Sequence, residues 1–331
     1  MPTPPPIAIV GAGLAGLTCA RALHARGVPL HIFDKGRGPG GRMSTRRHGE
    51  ALRFDHGAQY VTARSEAFRA QLQRWVAAGV AAPWRGRVRV LERGEVSDTR
   101  RATERYVGVP GMSALVSHQA RGLEVAFGTR VAPLERDGAR WRLRTTGGEE
   151  LGEFERVVIA VPAPQAAALL PEGSALRRAA EEAVMNPCWA ALAAWDAPLG
   201  LPFDGAFVHR SPLAWIARDS DKPERPEGSR WVLHASHAWS RDHLERERDE
   251  VAALLLQALR DATPRPIPEP TFLTAHRWRY AIPAPALEAR SFHDAALGLG
   301  VCGDWCAAPR VEGAFLSGAH LAERVAAHLG V

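Results

Sequence analysis

The chain has 331 residues, 46% of them apolar, and a formal net charge of +6. That apolar content can bury one large core or two interleaved ones, which excludes a disordered or fibrous chain. Lys35 and Lys222 are the only lysines, so the positive charge is almost all arginine, a residue suited to planar recognition of phosphate or carboxylate.

Arg85, Arg87, Arg89, Arg93, Arg100, Arg101 and Arg105 are interspersed with acids. They form no basic run with interleaved aromatics, and no nucleic-acid partner is expected. Cys19, Cys188, Cys302 and Cys306 are too dispersed for a disulfide framework, and none of their spacings is that of a zinc half-site. Reduced thiols, no metal and a cytoplasmic location are expected. The opening MPTPPP lacks the basic-then-apolar order of a secretion signal. No segment reaches the roughly 20 apolar residues that a membrane span needs.

Ile7 to Gly16 reads IAIVGAGLAG: a short apolar strand, then Gly11, Gly13 and Gly16 opening onto a helix. In such a turn the first glycine allows a tight bend, the second admits a pyrophosphate, and the third lets helix pack on strand. Phosphates would rest on the free N–H groups around Gly13, Leu14 and Ala15, at the positive end of the helix dipole. The helix continues through Leu17 to Arg26, Gly27 ends it, and Val28 to Phe33 forms a second strand. Asp34 then stands where an acid would take ribose hydroxyls.

Residues 35 to 47, KGRGPGGRMSTRR, form a second glycine-rich segment holding Arg37, Arg42, Arg46 and Arg47, with Lys35, Gly41 and Met43. Two such loops suit an elongated anion held from both sides, with Arg42 as the direct charge-assisted contact. FDHGAQYVT, residues 54 to 62, alternates like a strand; Gly57 and Ala58 at its centre leave room for a flat ring beside Gln59 and Tyr60.

Ser65 to Gly79 has Phe68, Leu72, Trp75 and Val76 at helical spacing behind a Ser65 cap, a stripe expected in the core. A hairpin around Arg93 and Gly94, a strand at Tyr106 to Val109 and a helix from Met112 to Ala120 follow. From Leu123 to Val161, turns at Asp137-Gly138 and Gly147-Gly148 predict a meander of three or four strands ending in VVIAVPAPQ, broken at Pro162. Ser174 to Val184 reads as a helix. CWAALAAWD, AFVHR, LAWIARD and RWVLHAS read as strands of a separate lobe, and Asp242 to Ala262 as an amphipathic helix. Thr271 to Ala281 and Leu297 to Val301 return to strand, Gly303-Asp304 follows, and Val311, Glu312, Gly313 and Ala314 open the last helix.

GAGLAG with Asp34, GPGGRMSTRR, FDHGAQYVT and the C-terminal CGDWCAAPRVEGAFLSG together resemble the flavin amine oxidase superfamily, most closely the renalase family. The two end stretches that hold these blocks, residues 7–62 and 302–318, cover roughly a quarter of the chain. The resemblance implies an α/β fold: a Rossmann-like FAD-binding domain of the glutathione-reductase/amine-oxidase type, interleaved with a substrate domain of mixed β-sheet plus helices. The implied division gives residues 1–64, 100–164 and 273–331 to FAD, and 65–99 and 165–272 to the substrate domain. The second glycine-arginine segment and the Gly303-Asp304 block are surplus to a simple dehydrogenase, which favours FAD over NAD. By resemblance, Val131 meets the adenine, Asp304 binds the ribityl chain, and the Gly313–Ala314 backbone approaches the pyrimidine edge of the isoalloxazine. A helix start there would stabilise negative charge around N1.

The resemblance further implies a noncovalent FAD oxidase that converts dihydronicotinamide isomers, 2- or 6-dihydro-NAD(P), to NAD(P)+ by hydride transfer to flavin N5. Oxygen would then yield hydrogen peroxide. The expected partners are therefore a small dinucleotide substrate and O2; no oligomeric state is implied. No nucleophile-and-base constellation is readable, so catalysis is expected to be flavin-borne. The lysine that many superfamily members hold near the flavin has no counterpart in the motifs, with Lys222 read as part of a polar DKPERPEG loop. Pocket candidates are Gln59, Tyr60, Asn186, His234, Trp278 and Tyr280. The alternatives are a flavin amine oxidase or desaturase-type enzyme and a non-catalytic flavin-binding protein.

Overall fold

In the computed structural model the described residues are 5–49, 52–100 and 103–331; Arg101 and the first four residues of MPTPPP lie outside them. Two sheets organise the molecule. The first has six strands in the order Phe292–Asp294, Leu299–Val301, Arg156–Ile159, Ile7–Val10, Leu30–Asp34, Val125–Phe127. All neighbours are parallel except the antiparallel edge strand Phe292–Asp294. Ile7–Val10 lies at the centre, and all four of its residues are buried, as expected for a strand covered on both faces.

Helix Leu14–His24 leaves this strand through the glycine turn and packs on the C-terminal helix Val311–Leu329. The approach is close: a Cβ on Gly318 would lie 2.2 Å from the Ala15 carbonyl oxygen, so no larger residue fits the crossing.

The second sheet has seven strands: Phe272–Pro283, Met185–Trp195, Ser229–Ala235, Leu213–Arg218, Gly205–His209, Val88–Glu92 and Glu95–Asp98. One face carries Trp189, Ala191, Ala193, Trp231 and Leu233, which pack with Val251, Leu255 and Leu259 of helix Arg248–Ala262. Each fully buried leucine there contributes roughly 1.5–3 kcal/mol. Because strand side chains alternate, the opposite face carries a second set. Reading across the register, His276, Ala190, His234, Trp215 and Phe207 form one row.

Several sequence expectations are corrected. FDHGAQYVT is not one strand: Leu52–Asp55 pairs with Thr45–His48, the chain then turns, and only Val61 regains a ladder contact, with Tyr106. Thr45–His48 is itself strand where a loop was expected. The meander has three strands, Glu135–Asp137, Arg140–Arg144 and Glu150–Phe154, because Val125–Phe127 and Arg156–Ile159 join the parallel sheet. Pro162 caps a helix, Ala163–Leu169, rather than merely breaking a strand. The 242–262 helix divides, with His237–Asp242 standing apart from Arg248–Ala262.

Ser65 caps Glu66–Ala77 as expected, its hydroxyl accepting from the Phe68 N–H. Val76, however, is 39% exposed, because the buried stripe runs through Phe68, Leu72 and Trp75. This helix packs against the C-terminal one through Phe68 and Phe315, and Phe272–Pro283 is hydrogen-bonded into the seven-stranded sheet. Both stretches thus pack across the domain boundaries implied by the sequence. Among the described residues no helix is long and apolar enough to cross a membrane, and no cluster could hold a metal ion.

Candidate functional site

The three glycines of the first turn have three different surroundings. Gly11 has φ +112°, and a Cβ there would sit 2.6 Å from the Ala160 carbonyl oxygen. A Cβ on Gly16 would sit 2.0 Å from the Gly11 carbonyl oxygen, so its hydrogen is what lets helix meet strand. Around Gly13 a Cβ would meet nothing within 4 Å. The protein therefore needs glycine at 11 and 16 for its own packing, whereas Gly13 fronts open space beside the free N–H groups of Leu14 and Ala15. That is the cradle a dinucleotide pyrophosphate requires.

The second glycine segment closes on the first. A Cβ on Gly41, at φ +52°, would lie 3.7 Å from the Gly13 Cα. Arg42 sits beside it, but its guanidinium is already held. It donates to both oxygens of Asp304 at 2.7 and 2.6 Å and to the Ala281 carbonyl at 3.2 Å. Residues expected to contact separate parts of a cofactor are thus joined into one fork-to-fork ion pair. Asp34 is likewise engaged, accepting from the Ala12 and Gly36 N–H groups at 2.6 Å each. It thereby fixes both glycine segments. Lys35 and Arg37 are exposed beside it, and Met43 is buried in the core.

Gly57 and Ala58 continue this line. The Ala58 N–H donates to the Arg42 carbonyl at 2.9 Å. A Cβ on Gly57 would lie 2.0 Å from that same oxygen and 3.4 Å from the Trp278 ring. A continuous path therefore runs from Gly13 through Gly41, Arg42 and Gly57 to the inner face of the seven-stranded sheet.

At its end, the His56 carbonyl is contacted by Trp278 Nε1 at 2.9 Å and His234 Nε2 at 3.0 Å. Two pocket candidates from different strands converge there. The His56 ring lies 4.8 Å from Trp278 and 4.6 Å from His276. Burial, with neighbouring positive groups, lowers the histidine pKa values to about 3 for His56 and about 4 for His234 and His276. All three are neutral at pH 7 and poor bases. Tyr60 packs on Trp215 and Trp84 beneath the Arg105 guanidinium, 5.1 Å from its ring. Tyr280 is half-buried on the same strand face as His276 and Trp278. Asn186 stands apart, its side-chain oxygen accepting from Arg241 at 3.0 Å.

Gln59 is buried and its side chain is fully engaged within the protein. Its amide nitrogen donates to the carbonyls of Asp55 and Gly57, and its oxygen accepts from Lys222 Nζ at 3.4 Å. Lys222, expected in a polar loop, is fully buried. Its ammonium also reaches Asp219 at 2.7 Å and Asp55 at 3.5 Å, and Arg225 reaches Asp55 at 2.6 Å. Burial alone would raise the Asp55 pKa, but Lys222, Arg225, the Met112 N–H and the Thr45 hydroxyl hold it below the ordinary value. Burial pushes Asp219 up, with the nearby Asp55 charge acting in the same direction. Nothing in the local sequence distinguishes Lys222 from an exposed lysine, since its burial comes from elements 160 residues or more away in sequence. His276 was not singled out from the sequence, although its place two residues before Trp278 in the strand TFLTAHRWRYA is the signal that would have put it on the same face.

The C-terminal block meets the same region. The Glu312 carboxylate is buried, accepting from the Ser65 N–H and hydroxyl at 2.7 Å each and from the Arg64 N–H at 3.2 Å. Burial raises its pKa, but those donors and Arg310 outweigh that and hold it low. Its side chain is a structural tie, which leaves only the backbone of Val311–Ala314 to face a ligand. A Cβ on Gly313 would lie 2.0 Å from the Ala308 carbonyl, and the Gly303 N–H donates to Ser317 at 2.9 Å. Val131 is buried and bridges Thr145 on the meander side.

Comparison with known proteins bears on this geometry. The family model for flavin containing amine oxidoreductases matches residues 91–326, and that for an NAD(P)-binding Rossmann-like domain matches residues 9–75. Among solved structures, a protein assigned as protoporphyrinogen oxidase from Exiguobacterium sp. 255-15 superposes with TM-score 0.80 at 14% identity, over 99% of this chain and 100% of that one. Cyclohexylamine oxidase from Brevibacterium oxydans IH-35A gives 0.78 at 13%, over 99% and 100%. A putrescine oxidase bound to putrescine gives 0.74 at 14%, over 98% and 100%. At such identities these similarities establish the fold alone.

Proposed function

Because the chain belongs to the flavin containing amine oxidoreductase family and binds FAD noncovalently, we propose that it is an oxidase of dihydronicotinamide dinucleotide isomers, reduced at the 2 or 6 position. In this reading Gly11, Gly13, Leu14, Ala15, Gly16, Gly41 and the Arg42–Asp304 pair hold the cofactor phosphates and ribityl chain. Asp34 orders that end, and Gly57, Ala58 and the Val311–Ala314 backbone border the ring. The cofactor-binding portion comprises residues 1–64, 100–164 and 273–331, although the Phe272–Pro283 strand is hydrogen-bonded into the seven-stranded sheet. Held there, FAD would supply the hydride acceptor and the route for electrons to O2.

The observation that carries the proposal is the character of the wall beside Gly57. It is aromatic and uncharged at Trp278, His56 and His234, flanked by arginines, and among the described residues no carboxylate is paired with these side chains and no effective base stands among them. An amine reaches the site as a cation and must lose a proton before oxidation, and this wall neither attracts nor deprotonates it. The Lys222 ammonium has three donors and three partners, so it is not free to hold a water. A dihydronicotinamide ring needs only to be laid flat at the right distance, which Trp278 and the neutral histidines can do, and its phosphates suit the arginines.

Anaerobic mixing of the holoenzyme with 2- and 6-dihydro-NAD(P) tests this, read as loss of flavin absorbance near ~450 nm. Rapid bleaching by these isomers and none by putrescine or cyclohexylamine is the expected result. Bleaching by the amines alone overturns it in favour of amine oxidation.

A further inference from the structure

On the inner sheet face, beyond Trp278, two histidines and an arginine gather with no acid paired to them among the described residues. Arg46 comes from the Thr45–His48 strand, His56 from the turn after Asp55, and His276 from the Phe272–Pro283 strand. Arg46 Nη1 lies 3.2 Å from His276 Nδ1. A guanidinium can only donate, so His276 accepts at Nδ1 and carries its own proton at Nε2, which has no partner among the described residues. Arg46 makes no other hydrogen bond and no ion pair among the described residues, which leaves four of its five N–H groups free. The His56 ring stands edge-on to His276 at 4.6 Å. The His56 ring is hydrogen-bonded to the Ser44 backbone, yet its Nδ1 is buried without a partner in a residue that is only 5% exposed.

Buried polar atoms are normally satisfied, and positive groups normally keep a carboxylate close by, as Arg225 and Lys222 do in this same protein. Here both rules are broken at one place: besides burial, which is the main cause, Arg46 and Arg248 both depress the His276 pKa, and both act as positive charges on that ring. A bound anion would satisfy the free donors and neutralise the cluster.

We propose that Arg46 and His276, backed by His56, form an anion subsite that takes a phosphate group of the substrate. The proposal rests on the reading of the substrate as a dinucleotide. The subsite adjoins the wall: His56 touches both Trp278 and His276, so a ring laid along Trp278 would carry its phosphates toward Arg46. The cofactor's own pyrophosphate is assigned to the opposite end of the path, at Gly13.

The test compares the wild-type holoenzyme with R46Q and R46K. In R46Q, FAD content stays at the wild-type level. The half-saturating concentration of 6-dihydro-NAD for anaerobic flavin reduction rises roughly 10- to 100-fold, as expected for loss of a charge-assisted contact, and the limiting rate is unchanged. The phosphate-free dihydronicotinamide riboside is unaffected, and R46K recovers part of the loss because it keeps the charge without the fork. Independently, inorganic pyrophosphate binds the wild-type holoenzyme in calorimetry and does not bind R46Q.

Loss of FAD from R46Q would assign Arg46 to the cofactor and overturn the subsite. So would equal shifts for dinucleotide and riboside, or no shift for either. If pyrophosphate binding depends on Arg46 while no dihydronicotinamide isomer bleaches the flavin, the subsite stands and the proposed reaction falls. If the isomers bleach the flavin and R46Q behaves as wild type, the reverse holds.

Discussion

Replacing Lys222 by methionine removes one cation from a group of four buried ions. Asp55 and Asp219 balance Lys222 and Arg225, and all four side chains are at most 1% exposed. Their net charge is zero as long as both acids are ionised, and K222M leaves one uncompensated negative charge in a site that water does not reach. Breaking a buried pair in this way costs about 3–5 kcal/mol, well above the value of any surface ion pair. Gln59 also loses the donor to its side-chain oxygen. At about 2.1 cal/mol/K per residue, unfolding of a chain this long carries an entropy near ~0.7 kcal/mol/K, so Tm should fall by about 4–7 °C. The loss is pH-dependent with a definite sign. Burial and Asp55 already raise the Asp219 pKa, and without Lys222 it rises further, so the folded variant binds a proton more readily than the unfolded chain does. The penalty is therefore full at pH values above the folded-state pKa and fades as pH falls toward the ordinary carboxylate value of 3.8. The double variant K222M/D219N restores charge balance and should recover most of the stability at pH 7. Thermal unfolding of holoprotein at pH 7.5 and 5.5 makes the comparison. A K222M loss below about 1 kcal/mol, or no recovery in the double variant, would refute the argument that this lysine is a buried counter-ion.

Two further predictions concern the glycine turn and pH. G13V should abolish the yellow colour of bound flavin and leave the far-ultraviolet circular dichroism unchanged, because its side chain enters space that no protein atom occupies. G16A, with its Cβ 2.0 Å from the Gly11 carbonyl, should instead destabilise the fold itself; retained flavin in G13V would remove the cradle. His56, His234 and His276 have folded-state pKa values of about 3, 4 and 4, below the ordinary 6.5, so their contribution to stability is complete above pH 6.5 and is lost as pH falls toward 4. At about 1.4 kcal/mol per pKa unit, the buried His56 accounts for a few kcal/mol of that loss. Tm measured from pH 7.5 to 4.5 should therefore fall less steeply in H56Q than in wild type, and parallel curves would show that His56 does not titrate in this way.

Sequence alone determined what local pattern and covalent spacing dictate. The strand, glycine turn and helix from Ile7 to His24 follow from apolar runs and from positions where only glycine fits. So do the Ser65 cap and the Asp137-Gly138 hairpin. TFLTAHRWRYA read as a strand carrying the candidates Trp278 and Tyr280, and the motif blocks at both ends identified the flavin family. Tertiary structure decided the partners. Arg42 and Asp304 are 262 residues apart and hold each other. Lys222 is buried because Asp55 and Gln59 meet it from the other end of the chain, and Glu312 ties down Ser65 from 247 residues away. Arg46 faces His276 because a short hairpin lies across the inner face of a sheet formed mainly by the second half of the chain. Electrostatic partnership depends on distance in space, and a carboxylate, an ammonium or an imidazole carries no local signature of the group it will meet. The sequence could therefore name the cofactor, while the charge and aromatic character of the wall beside it emerged only when the two sheets were brought together.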